Sequence, residues 1–232
     1  MCHELGGAII RIESITVSVF LASFRPLAAT PQGRCAVARH GLRSYLDASC
    51  RREPDFESDY PTITSLCRAE KFVPRIKRLD TIIYITQKAL YPPVKQSCWR
   101  LVAVLQAHEL FASHSQAAKF FRALGLKLPS NCMLTNNPPL PLDHTDEFRS
   151  DLRDWDGGYK IRARQCPTVV ACTALFMELD NPPVITTSTM KAAFGRIPGT
   201  QTPPEIEPSE FQKLITILGL SPSLRSRPER IG

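Results

Sequence analysis

Residues 14–46 contain no aspartate, glutamate or lysine. Their positive charge comes from Arg25, Arg34, Arg39 and Arg43, spaced among Ser, Ala and Thr. An acid-free, arginine-bearing stretch points to a targeting address or to an anionic partner. Long apolar runs are also missing. The best candidate, residues 9–24, is interrupted by Arg11 and Glu13 and is too short to cross a bilayer. The eight cysteines contain no CxxC, and Cys166 and Cys172 stand six apart with Pro167 between them. That is not the spacing of a zinc knuckle. The irregular cysteine positions read as reduced thiols, several of them acting as small hydrophobes. GxxxxGK(S/T), GxGxxG and GxSxG are all absent, so no motif announces phosphate-loop, dinucleotide or hydrolase chemistry.

What is present is a basic chain of one-domain size. Its 232 residues are 43% hydrophobic, enough for a core, and carry a net charge of +7. That balance suits either a solvated basic surface or contact with nucleic acid or an anionic membrane. Twenty prolines against eleven glycines predict short elements joined by rigid, extended connectors.

The N-terminal segment supports competing readings. Arg43-Ser44-Tyr45 resembles the arginine-minus-three, aromatic-minus-one pattern of matrix presequence cleavage sites, whereas Glu4 and Glu13 oppose a presequence. A secretory signal is disfavoured by Arg25, which falls where the cleavage region should be uncharged. Alternatively, Ile10, Ile12, Ile15, Val17 and Val19 alternate like a half-buried strand, with a helix to follow over 35–51.

Beyond it, apolar spacing predicts helices over 60–72, 74–91 and 94–112. The β-branched run from Thr81 to Thr86 leaves a strand open within the second. The third has Cys98, Leu101, Val102 and Leu105 as its stripe. Ser113-His114-Ser115-Gln116 reads as a capping box for a helix over 116–124, stopped by Gly125. A short helix is expected over 146–155, broken by Gly157-Gly158, then a short strand over 159–165 with Lys160, Arg162 and Arg164 on one side. Residues 167–179 are apolar nearly all round, as in the central helix of a bundle. Helices over 187–194 and 209–218, stopped by Gly195 and Gly219, complete the reading.

The expected fold is therefore mostly α: an irregular multi-helix bundle with proline-rich connectors, two helical half-repeats and one or two short strands. The expected organisation is a basic extension over 1–52, a helical domain over 53–199, and a linker, helix and basic tail over 200–232. Trp99 to Phe111 with its following helix, and Thr168 to Leu179 with its own, make a repeated long-helix, short-helix pattern. This resembles the twofold helical repeat of the cyclin and TFIIB family. The resemblance implies a protein- or DNA-binding adaptor without a catalytic site.

Candidate chemistry is sparse. His108-Glu109 begins like a zincin helix, but the second histidine would fall at Ala112. Asp154-Trp155-Asp156 resembles a metal-binding DxD, with no further ligands following. No catalytic, metal or cofactor site is implied. Candidate anion or nucleic-acid contacts are Lys71, Arg75, Lys77 and Arg78, then Lys119, Arg122 and Lys127, then Lys160, Arg162 and Arg164. The expected function is a non-catalytic helical binding subunit of a larger assembly, partnered by other protein subunits and by RNA or DNA. Alternatives are a cyclin/TFIIB-like adaptor and an enzyme of unknown class. The expected compartment is the mitochondrial matrix, otherwise the cytoplasm or nucleus.

Overall fold

The computed structural model describes residues 17–66, 68–146 and 152–220. In chain order the elements are β1 Val19–Phe24, α1 Pro31–His40, β2 Thr62–Thr64, β3 Thr81–Thr86, β4 Trp99–Phe111 and α2 His114–Ala123. There follow α3 Leu152–Gln165, β5 Val169–Met177, β6 Val184–Ile185, α4 Thr187–Phe194, β7 Glu205–Ile206 and α5 Pro208–Ile217. The strands form one seven-stranded sheet in the order β2-β5-β4-β3-β1-β7, with β6 also on β4. Among the described residues only β1 and β3 pair in parallel; the other strand pairings are antiparallel, so the sheet is mixed.

This overturns the expected helical bundle. Of residues 94–112, the mainstay of that expectation, Trp99–Phe111 form the long strand β4, and of the expected central helix over 167–179, Val169–Met177 form β5. Both are strands because the sheet is apolar on both faces. Phe20, Ala22, Ile82, Tyr84, Val102 and Leu105 point into one core. Val19, Leu21, Ile83, Ile85, Leu101 and Val104 point into the other, which α4 and α5 close with Met190, Phe194, Leu214 and Ile215. A strand buried on both faces has no polar alternation, so its sequence reads as continuously apolar. The register shifts in β4–β5 pairing, between Val104 and Leu105 and between Ala107 and Glu109, blur any residual period of two.

With β4 and β5 as strands, the two long helices of the cyclin/TFIIB-like repeat do not exist and that resemblance is withdrawn. The helix expected over 60–72 is β2 followed by short 3-10 turns, and 74–91 contains β3, the strand that its β-branched residues favoured. Conversely, residues 159–165 belong to the fourteen-residue α3. Asp156, Tyr159 and Ala163 are buried along it, and Cys166 just beyond its end, a helical spacing. The α-helices stand nearer their expected places. Ser113 accepts from Gln116 N at α2, and Thr186 from Thr189 N at α4.

The N-terminal alternation mostly lies outside the described residues; from Val19 onward the chain is strand β1, held between β3 and β7. Tyr45 and Leu46 are core residues, so cleavage beside Tyr45 would remove β1 from the sheet. Helix α1 starts early, behind the Thr30 cap and Pro31, and stops at Gly41 (φ 62°) rather than running to residue 51. Among the described residues no helix is long and apolar enough to cross a membrane.

Candidate functional site

Where α1 was expected to continue, residues 47–56 instead form an irregular segment held by buried polar groups. Asp47 Oδ1 accepts from Ser49 N (2.9 Å), from the Ser49 hydroxyl and from Glu53 N (3.0 Å). Arg52, only 1% exposed, donates to the Asp47 carbonyl and reaches His144 O at 2.9 Å. Glu53 accepts from Thr64 N (2.8 Å) and from the Thr64 hydroxyl on β2. Asp55 Oδ2 accepts from Ser130 N and Oγ at 2.6 and 2.7 Å. Asn131 donates to Thr62 O at 3.0 Å, while the Thr62 hydroxyl donates back to Asn131 at 2.9 Å. Such a segment holds its shape without helix or strand because its buried groups find partners within it and in Thr64, Ser130 and His144.

This segment forms one wall of a cavity of about 540 Å³. The end of β1 contributes Ser23, Phe24 and Arg25, the irregular segment Asp47, Ser49 and Glu53, and β2 Ile63 and Thr64. Phe72, Tyr84 and Gln87, Tyr159 of α3, and Thr200 with Gln201 complete it. Arg68 closes one side, donating to Thr200 O, to Gln201 O (2.9 Å) and to Ser23 O, which straps the 200–201 turn across the β1 end. Arg25 lies on the wall in a two-pronged pair with Asp146, with Nε to Oδ2 and Nη2 to Oδ1 both 2.9 Å.

The electrostatics of this cavity centre on two carboxyl groups. Burial pushes the Glu53 pKa well above its usual value of 4.5; the hydrogen bonds from Thr64 oppose this, and the charges of Asp47 and Asp55 add to it. Burial also raises Asp47, against its bonds from Ser49 and Glu53 N. Both Glu53 oxygens are occupied by Thr64. Asp47 differs: its three hydrogen bonds all converge on Oδ1. Asp47 itself, 6% exposed, lines the cavity. The cavity thus combines an acceptor oxygen, two amides, several hydroxyls and four aromatic rings.

A second cavity, of about 550 Å³, also borders α3. Arg51, His114, Met133, Asp156, Lys160 and Arg164 line it. His114 Nδ1 accepts from Met133 N at 3.2 Å, which puts the ring proton on Nε2. Burial and the charge of Arg51 lower its pKa to about 4, so the ring is neutral near pH 7. The buried Arg51 bridges Asp156 (Nε–Oδ1 2.8 Å) to the carbonyls of Ser130 and Asn137.

Of the basic residues picked out by sequence, the fold brings Lys160 and Arg164 to the second cavity together. Arg75 instead stacks 5.1 Å over Phe20 and donates to Pro203 O. Arg78 pairs with Glu109 at 3.7 Å. Arg162 folds onto Leu66 O and over the Tyr159 ring at 4.9 Å. Lys71 and Lys77 are exposed before β3, Lys119 and Arg122 are exposed on α2, and Lys127 is exposed beyond it. His108 stacks on Tyr60 with ring centroids 5.5 Å apart. It sits on a strand, so the zincin-like pair has no helix to work from. Asp156 is occupied by Arg51 and Lys160.

Sequence reasoning missed Asp47, Glu53, Tyr84 and Arg68. The signal for the first two was a dense mixed-charge cluster, Asp47 to Asp55, set against apolar β1 and β3. No protein-family model, no curated protein and no solved structure matches the chain.

Proposed function

We propose that this protein is a non-catalytic nucleic-acid-binding module that takes a single unstacked base into the cavity beside Asp47. The composition of that cavity carries the reading. Phe24, Phe72, Tyr84 and Tyr159 line it together with the Asp47 carboxyl group and the amides of Gln87 and Gln201. Flat heteroaromatic rings that carry N–H donors and ring acceptors suit such a lining: aromatic faces stack, and polar groups read the edge. A volume of about 540 Å³ is within the range of small-ligand sites and leaves room for a sugar. The net charge of +7 and the exposed Lys71, Lys77, Lys119 and Arg122 supply attraction for a phosphate backbone. Acid–base chemistry here would fall to Asp47 and Glu53, and Glu53 is committed to holding Thr64.

The test is fluorescence anisotropy with labelled single-stranded oligonucleotides, each paired with an abasic copy of the same backbone. Binding is expected to weaken steeply with salt, and to weaken at least about tenfold on loss of the base. Asp47→Asn keeps an oxygen for Ser49 and Glu53 and turns the cavity acceptor into a donor. It should abolish the base-dependent increment and leave the salt slope unchanged. Equal binding of the abasic strand, or an unaltered base increment in Asp47→Asn, would overturn the proposal.

A further inference from the structure

We propose that His40, Asp143 and His144 form a binding site for a divalent transition metal, independent of the base cavity. His40 is the last residue of α1, and Asp143 and His144 lie on the 3-10 turn Leu142–His144. One ligand atom from each of the three lies within 4.8 Å of the others. The two imidazole rings stand 4.1 Å apart, centroid to centroid, and tilted by 34°. His40 Nε2 approaches Asp143 Oδ2 to 3.0 Å, yet it finds no aligned hydrogen-bond partner. Two imidazoles and a carboxylate that converge at one place, with His40 and Asp143 paired at 3.0 Å but not aligned as a hydrogen bond, can close on a third body.

The donor set selects the ion. Two imidazoles and one carboxylate suit Zn²⁺, Co²⁺ or Ni²⁺ and not Ca²⁺ or Mg²⁺, which prefer all-oxygen shells. Metal–ligand bonds of about 2.0–2.2 Å bring tetrahedral ligand atoms to roughly 3.5 Å from one another. The 4.8 Å span therefore needs a contraction of about 1 Å, which the half-exposed Asp143 side chain can supply. The C-terminal end of α1, with its partial negative charge, adds attraction for a cation. Arg39, which shares a shallow groove with Asp143, opposes it. A bound ion would fasten the connector before α3 to α1. Two residues beyond His144, Asp146 holds Arg25 on the wall of the base cavity.

The experiment uses the full-length chain with Zn²⁺ by isothermal titration calorimetry and Co²⁺ by visible absorption. One equivalent should bind, with d–d bands of nitrogen and oxygen ligation and no thiolate charge-transfer band. A hundredfold excess of Zn²⁺ over its Kd should raise Tm by about 5–11 °C. His40→Ala/His144→Ala should remove binding, and Asp143→Asn should weaken it by about tenfold or more. If the double variant unfolds, the Asp143→Asn titration decides, because that side chain is half exposed. Absence of saturable binding overturns the proposal, as does unchanged affinity in the variants. A thiolate–cobalt band also overturns it, since it would assign the metal to a cysteine such as the exposed Cys35.

Discussion

Removing Asp156 should destabilise the fold far more than removing a surface charge. Its side chain is 5% exposed and that of its partner Arg51 is 1% exposed. Arg51 gives Nε and Nη2 to Asp156 Oδ1, at 2.8 and 2.6 Å, and Nη1 to the carbonyls of Ser130 and Asn137. Asp156→Ala leaves the carbonyl bonds intact and the guanidinium charge without its counterion. Breaking a buried pair in this way costs about 3–5 kcal/mol, against about 0–1 kcal/mol for an exposed pair. Both residues line the second cavity, so water can enter and hydrate the orphaned charge. That places the expected loss near the lower end, about 3 kcal/mol. For a chain of this size it corresponds to a fall in Tm of about 6–12 °C. Lys160 pairs with the same carboxylate at 2.7 Å but is 57% exposed, so its loss contributes little. The double variant Arg51→Met/Asp156→Leu removes both charges and should recover most of the stability. Urea denaturation of the three proteins, with the m-value checked for constancy, measures this. A loss below about 1 kcal/mol in Asp156→Ala would refute the reasoning, because it would mean the pair behaves as a solvated one. So would a double variant no more stable than the single.

Two further predictions concern packing and protonation. A Cβ on Gly33 would stand 2.1 Å from the carbonyl oxygen of Leu27, whereas one on Gly157, inside α3, would meet nothing within 4 Å. Gly33→Ala should therefore cost about 1–3 kcal/mol and Gly157→Ala should gain about 0.5–1 kcal/mol, by thermal denaturation; equal signs would contradict the packing. Glu53, raised by burial, binds its proton more tightly folded than unfolded. Its contribution to stability is fully present below the unfolded value near 4.5 and is lost as pH rises through the folded value. Glu53→Gln should flatten that part of the stability–pH profile, and an unchanged slope would refute the assignment.

How much of the fold was legible depended on what each element buries. Caps and stops depend on local backbone chemistry, so Ser113, Gly125 and Gly195 marked their helices well. The strand β3 was half legible, since Thr81-Ile82-Ile83-Tyr84-Ile85-Thr86 is almost wholly β-branched. β4 was illegible for a specific reason. Its Leu, Ala, Gln and Glu are good helix formers, and only Val102 and Val104 are β-branched. What makes it a strand is pairing with β3, β5 and β6, contacts that span tens of residues and leave no local mark. The alternation in residues 159–165 misled in the opposite sense. Over one and a half turns, buried Tyr159 and Ala163 with exposed Lys160 and Arg164 fit a period of 3.6 as well as one of two.

The candidate site was less legible than the fold because no short-range spacing generates it. Its wall residues come from the end of β1, residues 47–53, β2, β3, α3 and the 200–201 turn. Arg68 illustrates the difficulty. In sequence it is one more basic residue, but in the fold its guanidinium spends its donors on Ser23, Thr200 and Gln201 carbonyls. The same holds for Arg51 and Arg52, which are structural cations buried among carbonyls and carboxylates. Net charge read from composition therefore overstates the charge offered to a partner. Of the arginines picked out by sequence, Arg75 and Arg162 are spent on backbone carbonyls and Arg78 pairs with Glu109, whereas Arg122 and Arg164 stay exposed. Exposed lysines and Arg122, together with an acidic group inside a basic protein, remain for recognition. That inversion is why the carboxylate of Asp47, and no arginine, is the group on which the base-binding proposal turns.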